Sequence, residues 1–286
     1  MRKQIPQSVV MPGHSDFELL SDLQNEILKR AGGQEGLETL FPSMLRQCID
    51  DVIMTPKTGR RSYDELEKTE KTYIGTRVEI ELKAMLGLKK GRLDTVINGH
   101  DVDIKNTMGN NWMIPSEAID HPCILVAADE AQAVCFLGLI IARSEYLTAS
   151  QNRDAKKSVS AVGFENILWL LKRQPYPQNF WRTVPQETID EIFSEKSGNG
   201  RVRTLFRLVQ RRPITRDVIE ATAKQKDFTR RVRADGGGGT REQLAKEGIL
   251  LLNGHYDKKL IQELSLPMCS KSEFISCHLN SVNTLK

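Results

Sequence analysis

The run Asp94-Thr-Val-Ile-Asn-Gly-His-Asp-Val-Asp103-Ile-Lys105 sets two aspartates and a lysine around a pair of turn-forming residues. Asn98-Gly99 is the strongest short-range signal for a two-residue hairpin, and the flanking valines and isoleucines favour extended chain. With that turn, Ile97 faces His100, and the pairing continues outward until Asp94 faces Asp103. Facing residues of an antiparallel pair have Cβ atoms roughly 4.5–5.5 Å apart. Lys105, two positions on, shares a face with Asp103. Carboxylates that close raise each other's pKa unless a cation lies between them. The pattern therefore asks for a divalent metal with an ammonium beside it. A three-residue loop would instead set Asp94 against Ile104 and dissolve the pair.

An Asp, roughly ten residues, then Asp-x-Lys fits the nuclease pattern written PD…(D/E)xK. Hydrolysis of a phosphodiester needs a Lewis acid on the phosphoryl oxygens and an activated water in line with the leaving oxygen. Hard oxygen ligands favour Mg²⁺, with Mn²⁺ as substitute, over zinc. Asp94 and Asp103 would hold the ion. Lys105 would orient or help deprotonate the water, or stabilise the pentavalent charge. Glu79, at the edge of a buried helical stripe, is the best further acid. The plainer reading is a solvated strand face, to which Asp101 would also belong.

These residues need elements to hold them. Helices are expected from Asp16 to Arg30, closed by Gly32-Gly33, from Leu37 to Val52, and from Thr72 to Leu86, where Ile74, Val78, Leu82 and Met85 form a stripe. The hairpin spans 93–106. Two apolar runs, Cys123–Ala128 and Ala133–Arg143, read as central strands covered on both faces. Helix, hairpin and buried strands make a mixed α/β domain over residues 1–162. Lys172-Arg-Gln-Pro-Tyr-Pro-Gln reads as part of a linker, 163–180, and a mainly helical domain follows over 181–286.

The 286 residues carry a formal charge of +4, too mild overall to identify a nucleic-acid binder. The longest apolar run, Val134–Ala142, is far short of the ~20 residues of a membrane span, and the start lacks the apolar core of a signal peptide. A cytoplasmic location is expected. Five scattered cysteines without a C-x-x-C pair read as buried reduced thiols, and no zinc site is expected. The Gly236–Gly239 run lacks the Gly-Lys-Ser/Thr ending of a phosphate-binding loop and reads as flexible.

The positive charge is concentrated. Between Ser197 and Arg233 eleven basic residues face only Asp217, Glu220 and Asp227, a net +8. That is the electrostatic footprint of phosphate binding. Val202, Leu205, Phe206 and Val209 form one helical face, leaving Arg203, Arg207 and Arg211 elsewhere, and Pro213 stops the helix. Thr215 would cap a second helix and Asp227 a third, with Phe228 and Val232 inward. Three short helices, a Gly-rich loop and the strand Ile249–Leu252 suit a winged helix-turn-helix. Candidate DNA contacts are Arg201, Arg203, Arg207, Arg211, Arg216, Lys226, Arg230, Arg231 and Arg233. Trp112, in the Gly109-Asn-Asn-Trp-Met-Ile-Pro loop just after the hairpin, is the one tryptophan expected to lie against DNA rather than in a core.

Longer words run through the chain in order. Lys68-Thr-Glu-Lys-Thr-Tyr-Ile-Gly-Thr-Arg-Val-Glu-Ile-Glu-Leu82 resembles the KTEKT-x-x-G-T-x-VEI-x-L segment of the NaeI-type restriction endonucleases. Val102-Asp-Ile-Lys105, Trp112-Met-x-Pro-x-Glu117, Asn152-Arg-Asp154, Asp227-Phe-Thr-Arg-Arg-Val-Arg233 and Glu247-Gly-Ile249 follow in that family's order. The resemblance implies metal-binding acids at Glu79, Asp94 and Asp103 and an active-site lysine at Lys105. It implies a PD-(D/E)xK nuclease-like mixed sheet with flanking helices, followed by a second DNA-binding domain. The expected activity is Mg²⁺-dependent double-strand cleavage of a short palindromic site by a homodimer, activated by a second DNA copy at the C-terminal domain. A companion methyltransferase would act on the same site. Two alternatives are a repair or nicking endonuclease and a non-catalytic winged-helix regulator.

Overall fold

A computed structural model describes residues 5–224 and 239–279 and divides the chain into two units, Met1–Val52 with Tyr63–Gln178 and Ile53–Ser62 with Asn179–Lys286. In the first unit, α1 (Phe17–Ala31) and α2 (Gln34–Ile53) precede α4 (Lys68–Leu86), and α5 (Ala161–Glu165) comes late; α3 (Thr55–Thr58) belongs to the second unit. Strands β1 (Thr95–Ile97), β2 (His100–Thr107), β4 (Pro122–Asp129), β5 (Val134–Ile141) and β8 (Leu168–Pro175) form one sheet in the order β1-β2-β4-β5-β8. β2 and β4 are parallel and the other neighbours antiparallel, so the sheet is mixed. A smaller sheet pairs β3 (Met113–Ile114), β7 (Lys157–Val159) and β6 (Leu147–Gln151) in that order.

Local chemistry explains the elements nearest the predicted site. Helix α4 starts at a capping box in which the Glu67 N–H donates to Glu70 at 2.9 Å. It ends at left-handed Gly87 (φ 59°), where the Leu88 N–H reaches Lys83 O at 2.9 Å. Ile74, Val78, Leu82 and Leu86 are its buried residues, with Leu86 in the place expected of Met85, and α4 packs on β2. Truncating Ile74, Leu82 or Leu86 to Ala would cost about 2–5 kcal/mol. On β4, Cys123, Leu125 and Ala127 join one apolar cluster while Ile124, Val126 and Ala128, equally buried, alternate with them. Such a strand is covered on both faces, as its unbroken apolar run requires.

Helix α2 carries Pro42 in its interior. Proline has no N–H for the carbonyl four residues back. That carbonyl, Glu38 O, instead accepts from the Gln174 side chain of β8 at 3.4 Å. Strand β8 also corrects a sequence expectation. Residues 163–180 do not form a linker: Leu168–Pro175 within them supplies the fifth strand of the sheet, held by backbone bonds to β5, and the boundary between the units falls after Gln178. Its prolines lie at or beyond the strand end, where a missing N–H is tolerated.

In the second unit, α6 (Gln186–Ser194), α7 (Gly198–Leu208), α8 (Arg216–Ala223), α9 (Thr240–Lys246) and α10 (Lys258–Glu263) accompany an antiparallel pair, β9 (Ile249–Asn253) and β10 (Phe274–His278). Val202, Leu205 and Phe206 of α7 pack with Ile189, Ile192, Ile219, Leu244, Ile249 and Leu251. Thr215 caps α8, its Oγ accepting from the Val218 N–H at 3.5 Å. Helix α7 ends at Leu208, well before Pro213. The chain instead bends, with the Arg211 N–H on Ser276 O and the Ile214 N–H on Phe274 O, both at 2.7 Å. Pairing with β10 thus replaces the helical bonds. The helix expected from Asp227, and Lys226, Arg230, Arg231 and Arg233, lie outside the described residues.

No helix among the described residues is long and apolar enough to cross a membrane. All five cysteines are free thiols, four of them buried and Cys269 partly so, and burial pushes the Cys48 thiol up to about 12.

Candidate active site and nucleic-acid interface

Strand β1 pairs with β2 in the register Thr95–Val102, Val96–Asp101 and Ile97–His100. Asn98 (φ 49°) and Gly99 (φ 84°) both have positive φ, which a two-residue type I′ turn requires. This register, continued one residue, sets Asp94 opposite Asp103. The Ile104 N–H donates to Asp94 Oδ2 at 2.7 Å, so the first aspartate is locked to the opposite strand.

Lys105 completes the group. Its Nζ lies 2.8 Å from Asp103 Oδ1, 2.7 Å from Asp103 Oδ2 and 3.8 Å from Asp94 Oδ2. The ammonium is the cation between the two carboxylates. Asp103 is 4% exposed, and its buried Oδ2, although close to Nζ, receives no hydrogen bond of acceptable geometry. Burial pushes the Asp103 carboxyl up to about 6; Lys105 opposes the rise and Asp94 adds to it. Asp101 stands apart, its carboxylate accepting from the Arg92 N–H at 2.7 Å.

Glu79 lies on α4, half-buried, and its Oε1 is 2.6 Å from Lys83 Nζ. The same ammonium reaches the carbonyl of Asp94 at 3.3 Å. The four residues implied by the resemblance are thus divided: Asp94, Asp103 and Lys105 converge, whereas Glu79 is tied through Lys83 to the base of the hairpin. Among the described residues no three acids, histidines or cysteines stand close enough together to hold one ion. Sequence reasoning missed Lys83. The signal was available, because a lysine four residues after a helical glutamate lies over it on the same face.

The donor set suits a hard divalent cation. Asp94 and Asp103 offer carboxylate oxygens, and the hairpin holds them together. No thiol or imidazole of the described residues joins them in a metal-binding group. Hard oxygen ligands of this kind match Mg²⁺ or Mn²⁺.

Trp112 does not face DNA. It is 1% exposed, its Nε1–H donates to Val126 O at 2.7 Å, and its ring packs against Phe164 and Trp169. A buried indole N–H needs a partner, and the β4 carbonyl supplies it. The predicted arginines are also engaged within the fold. Arg201 donates to the carbonyls of Thr222, Ala223, Glu195 and Lys196 at 2.8–3.1 Å, closing the C-terminal end of α8. Those bonds give Arg201 a structural duty within the fold. Arg207 makes a two-pronged pair with Glu247, both bonds 2.7 Å, and Arg203 donates to Gln243. Arg216 pairs with Glu220 at 2.9 Å, and Arg211 donates weakly to Ser265 O at 3.4 Å. Exposed pairs such as Arg216–Glu220 are worth about 0–1 kcal/mol, which a phosphate could displace.

Comparison with known proteins agrees with this chemistry. The family described as "Restriction endonuclease NaeI" matches residues 35–284. The type II restriction enzyme NaeI of Lentzea aerocolonigenes is 36% identical over 247 residues, covering 82% of this chain and 77% of that protein.

Proposed function

Because the chain belongs to the NaeI family of type II restriction endonucleases and is a site-specific deoxyribonuclease, we propose that it cuts both strands of a short palindromic site with Mg²⁺ held by Asp94 and Asp103. The observation that carries this reading is the meeting of those two carboxylates and Lys105 on one hairpin, with Asp103 buried.

A divalent cation held there supplies Lewis-acid polarisation of the phosphoryl oxygens. The protein's own groups do the rest. The Ile104 N–H orients the Asp94 carboxylate, and the hairpin register keeps Asp103 facing it. Lys105 Nζ, a donor only, carries positive charge to where negative charge grows on the phosphate, and one of its N–H groups orients the attacking water. Glu79 is the third acid, reached from α4.

We assign the binding of a second, activating duplex to the second unit. Its support is the net +8 between Ser197 and Arg233 together with helices α7 and α8 beside the β9–β10 pair, an arrangement compatible with a winged helix-turn-helix. Arg203, Arg207, Arg211 and Arg216, with Lys226, Arg230, Arg231 and Arg233, are its candidate phosphate contacts. Cutting two strands of a palindrome calls for a two-fold dimer with one site per strand. A companion methyltransferase of the same specificity would protect host DNA.

Incubating supercoiled plasmid DNA with and without Mg²⁺ tests this reading. Discrete linear fragments that need the cation support it. Nicked circles would favour a repair or nicking enzyme. Tight binding with no cutting in any divalent cation would favour a regulator.

A further inference from the structure

Glu79 and the aspartate pair sit on different elements, α4 and the β1–β2 hairpin. One ammonium spans the gap: Lys83 Nζ is 2.6 Å from Glu79 Oε1 and 3.3 Å from Asp94 O. An ordinary surface pair four residues apart would end at the helix. This one continues to the backbone of the hairpin, with the lysine side chain 20% exposed and the glutamate 29%. The site thus holds three carboxylates and two ammoniums, each ammonium engaged, Lys105 with the aspartates and Lys83 with Glu79.

We infer that Lys83 is a positioning residue that serves as the counter-ion of Glu79 and competes with a divalent cation for that carboxylate. The inference rests on the nuclease reading above. Two observations support it independently of that family. Glu79 Oε1 is taken by an ammonium that also reaches the hairpin backbone, and no three ligating side chains among the described residues already stand together. For Glu79 to join Asp94 and Asp103, Lys83 must let go. With Lys105 still in place, a dication that replaces the Lys83 ammonium brings the three carboxylates from a net charge of −1 to neutrality. A DNA phosphate entering beside Asp94 offers the released ammonium a new partner, which links duplex arrival to completion of the acid set.

The test is direct binding of Mn²⁺ without DNA, followed by titration calorimetry, in the full chain and in Lys83→Met, Lys83→Gln, Lys83→Arg and Asp103→Asn. Methionine keeps the aliphatic stem and removes the charge; glutamine serves if methionine impairs folding. The charge-free variants should bind Mn²⁺ at least about fivefold more tightly than the parent, in the range of ordinary coupling between sites. Arginine, which restores the charge, should return the affinity to within about twofold of the parent. Unchanged or weaker binding in Lys83→Met and Lys83→Gln overturns the competition. Failure of the cation site itself looks different: Asp103→Asn would then bind Mn²⁺ as well as the parent does.

Discussion

Replacing Asp103 by Asn should end cleavage while making the protein more stable at neutral pH. Burial raises the Asp103 carboxyl from 3.8 to about 6 against the opposing pull of Lys105. A carboxyl with a higher pKa folded than unfolded weakens the fold wherever it must ionise. Below about pH 4 both states hold the proton and the cost is absent; it grows as pH rises and is complete above about pH 6. At about 1.36 kcal/mol per pH unit, the gap is worth about 3 kcal/mol. Asparagine keeps a carbonyl for Lys105 and cannot ionise, so it escapes this cost. For a unit of this size the gain is roughly 5–10 °C in Tm. The assay is thermal unfolding of parent and variant with a chelator present, from about pH 4.5 to 8. The difference between the two should be small at the acid end and full above neutrality. Added Mg²⁺ should raise the parent's Tm and leave the variant's unchanged. Identical melting curves across the whole range would refute the claim that Asp103 is held ionised against its surroundings.

Three further outcomes follow from the same geometry. Gly99→Val forces a β-branched residue to φ 84°, at a cost of roughly 1–2 kcal/mol; the variant should stay folded by circular dichroism yet cut at least about tenfold more slowly, and parental cleavage rates would mean that the turn does not hold Asp94 against Asp103. Lys105→Ala should lose cleavage, as followed on agarose gels, while mobility-shift affinity for DNA changes less than about threefold; residual cutting near the parental rate removes Lys105 from the chemistry. DNA with one copy of the target should be cut slowly and rescued by added cognate duplex, with DNA carrying two copies cut faster; equal rates for both would end the proposal that the second unit binds an activating duplex.

Much of the hairpin was legible before any coordinates. Asn98-Gly99 dictates a two-residue turn because both positions take positive φ, and the turn alone fixes which residues face each other. The buried run of β4, the stripe Ile74, Val78 and Leu82, and the caps at Gly32 and Thr215 follow equally from local periodicity and backbone sterics. Elsewhere the local signal misled. The proline-bearing stretch after residue 170 resembles a linker, yet its backbone pairs with β5, and no local pattern reports a partner some thirty-five residues away. Val209 continues an apolar helical face, but bonds to β10 draw the chain out of the helix one residue earlier.

Side-chain duty divides along the same line. That Asp94, Asp103 and Lys105 share a face is a property of strand alternation and register, and the chain sequence alone determines it. Whether a polar residue faces solvent, a ligand or another part of the fold depends on neighbours brought from afar. Trp112 finds Val126 O and a core; Arg201 finds the carbonyls at the end of α8; Lys83 finds Asp94 O across the gap between helix and hairpin. Buried donors must be satisfied by whatever packing supplies, so only the tertiary structure could decide these three.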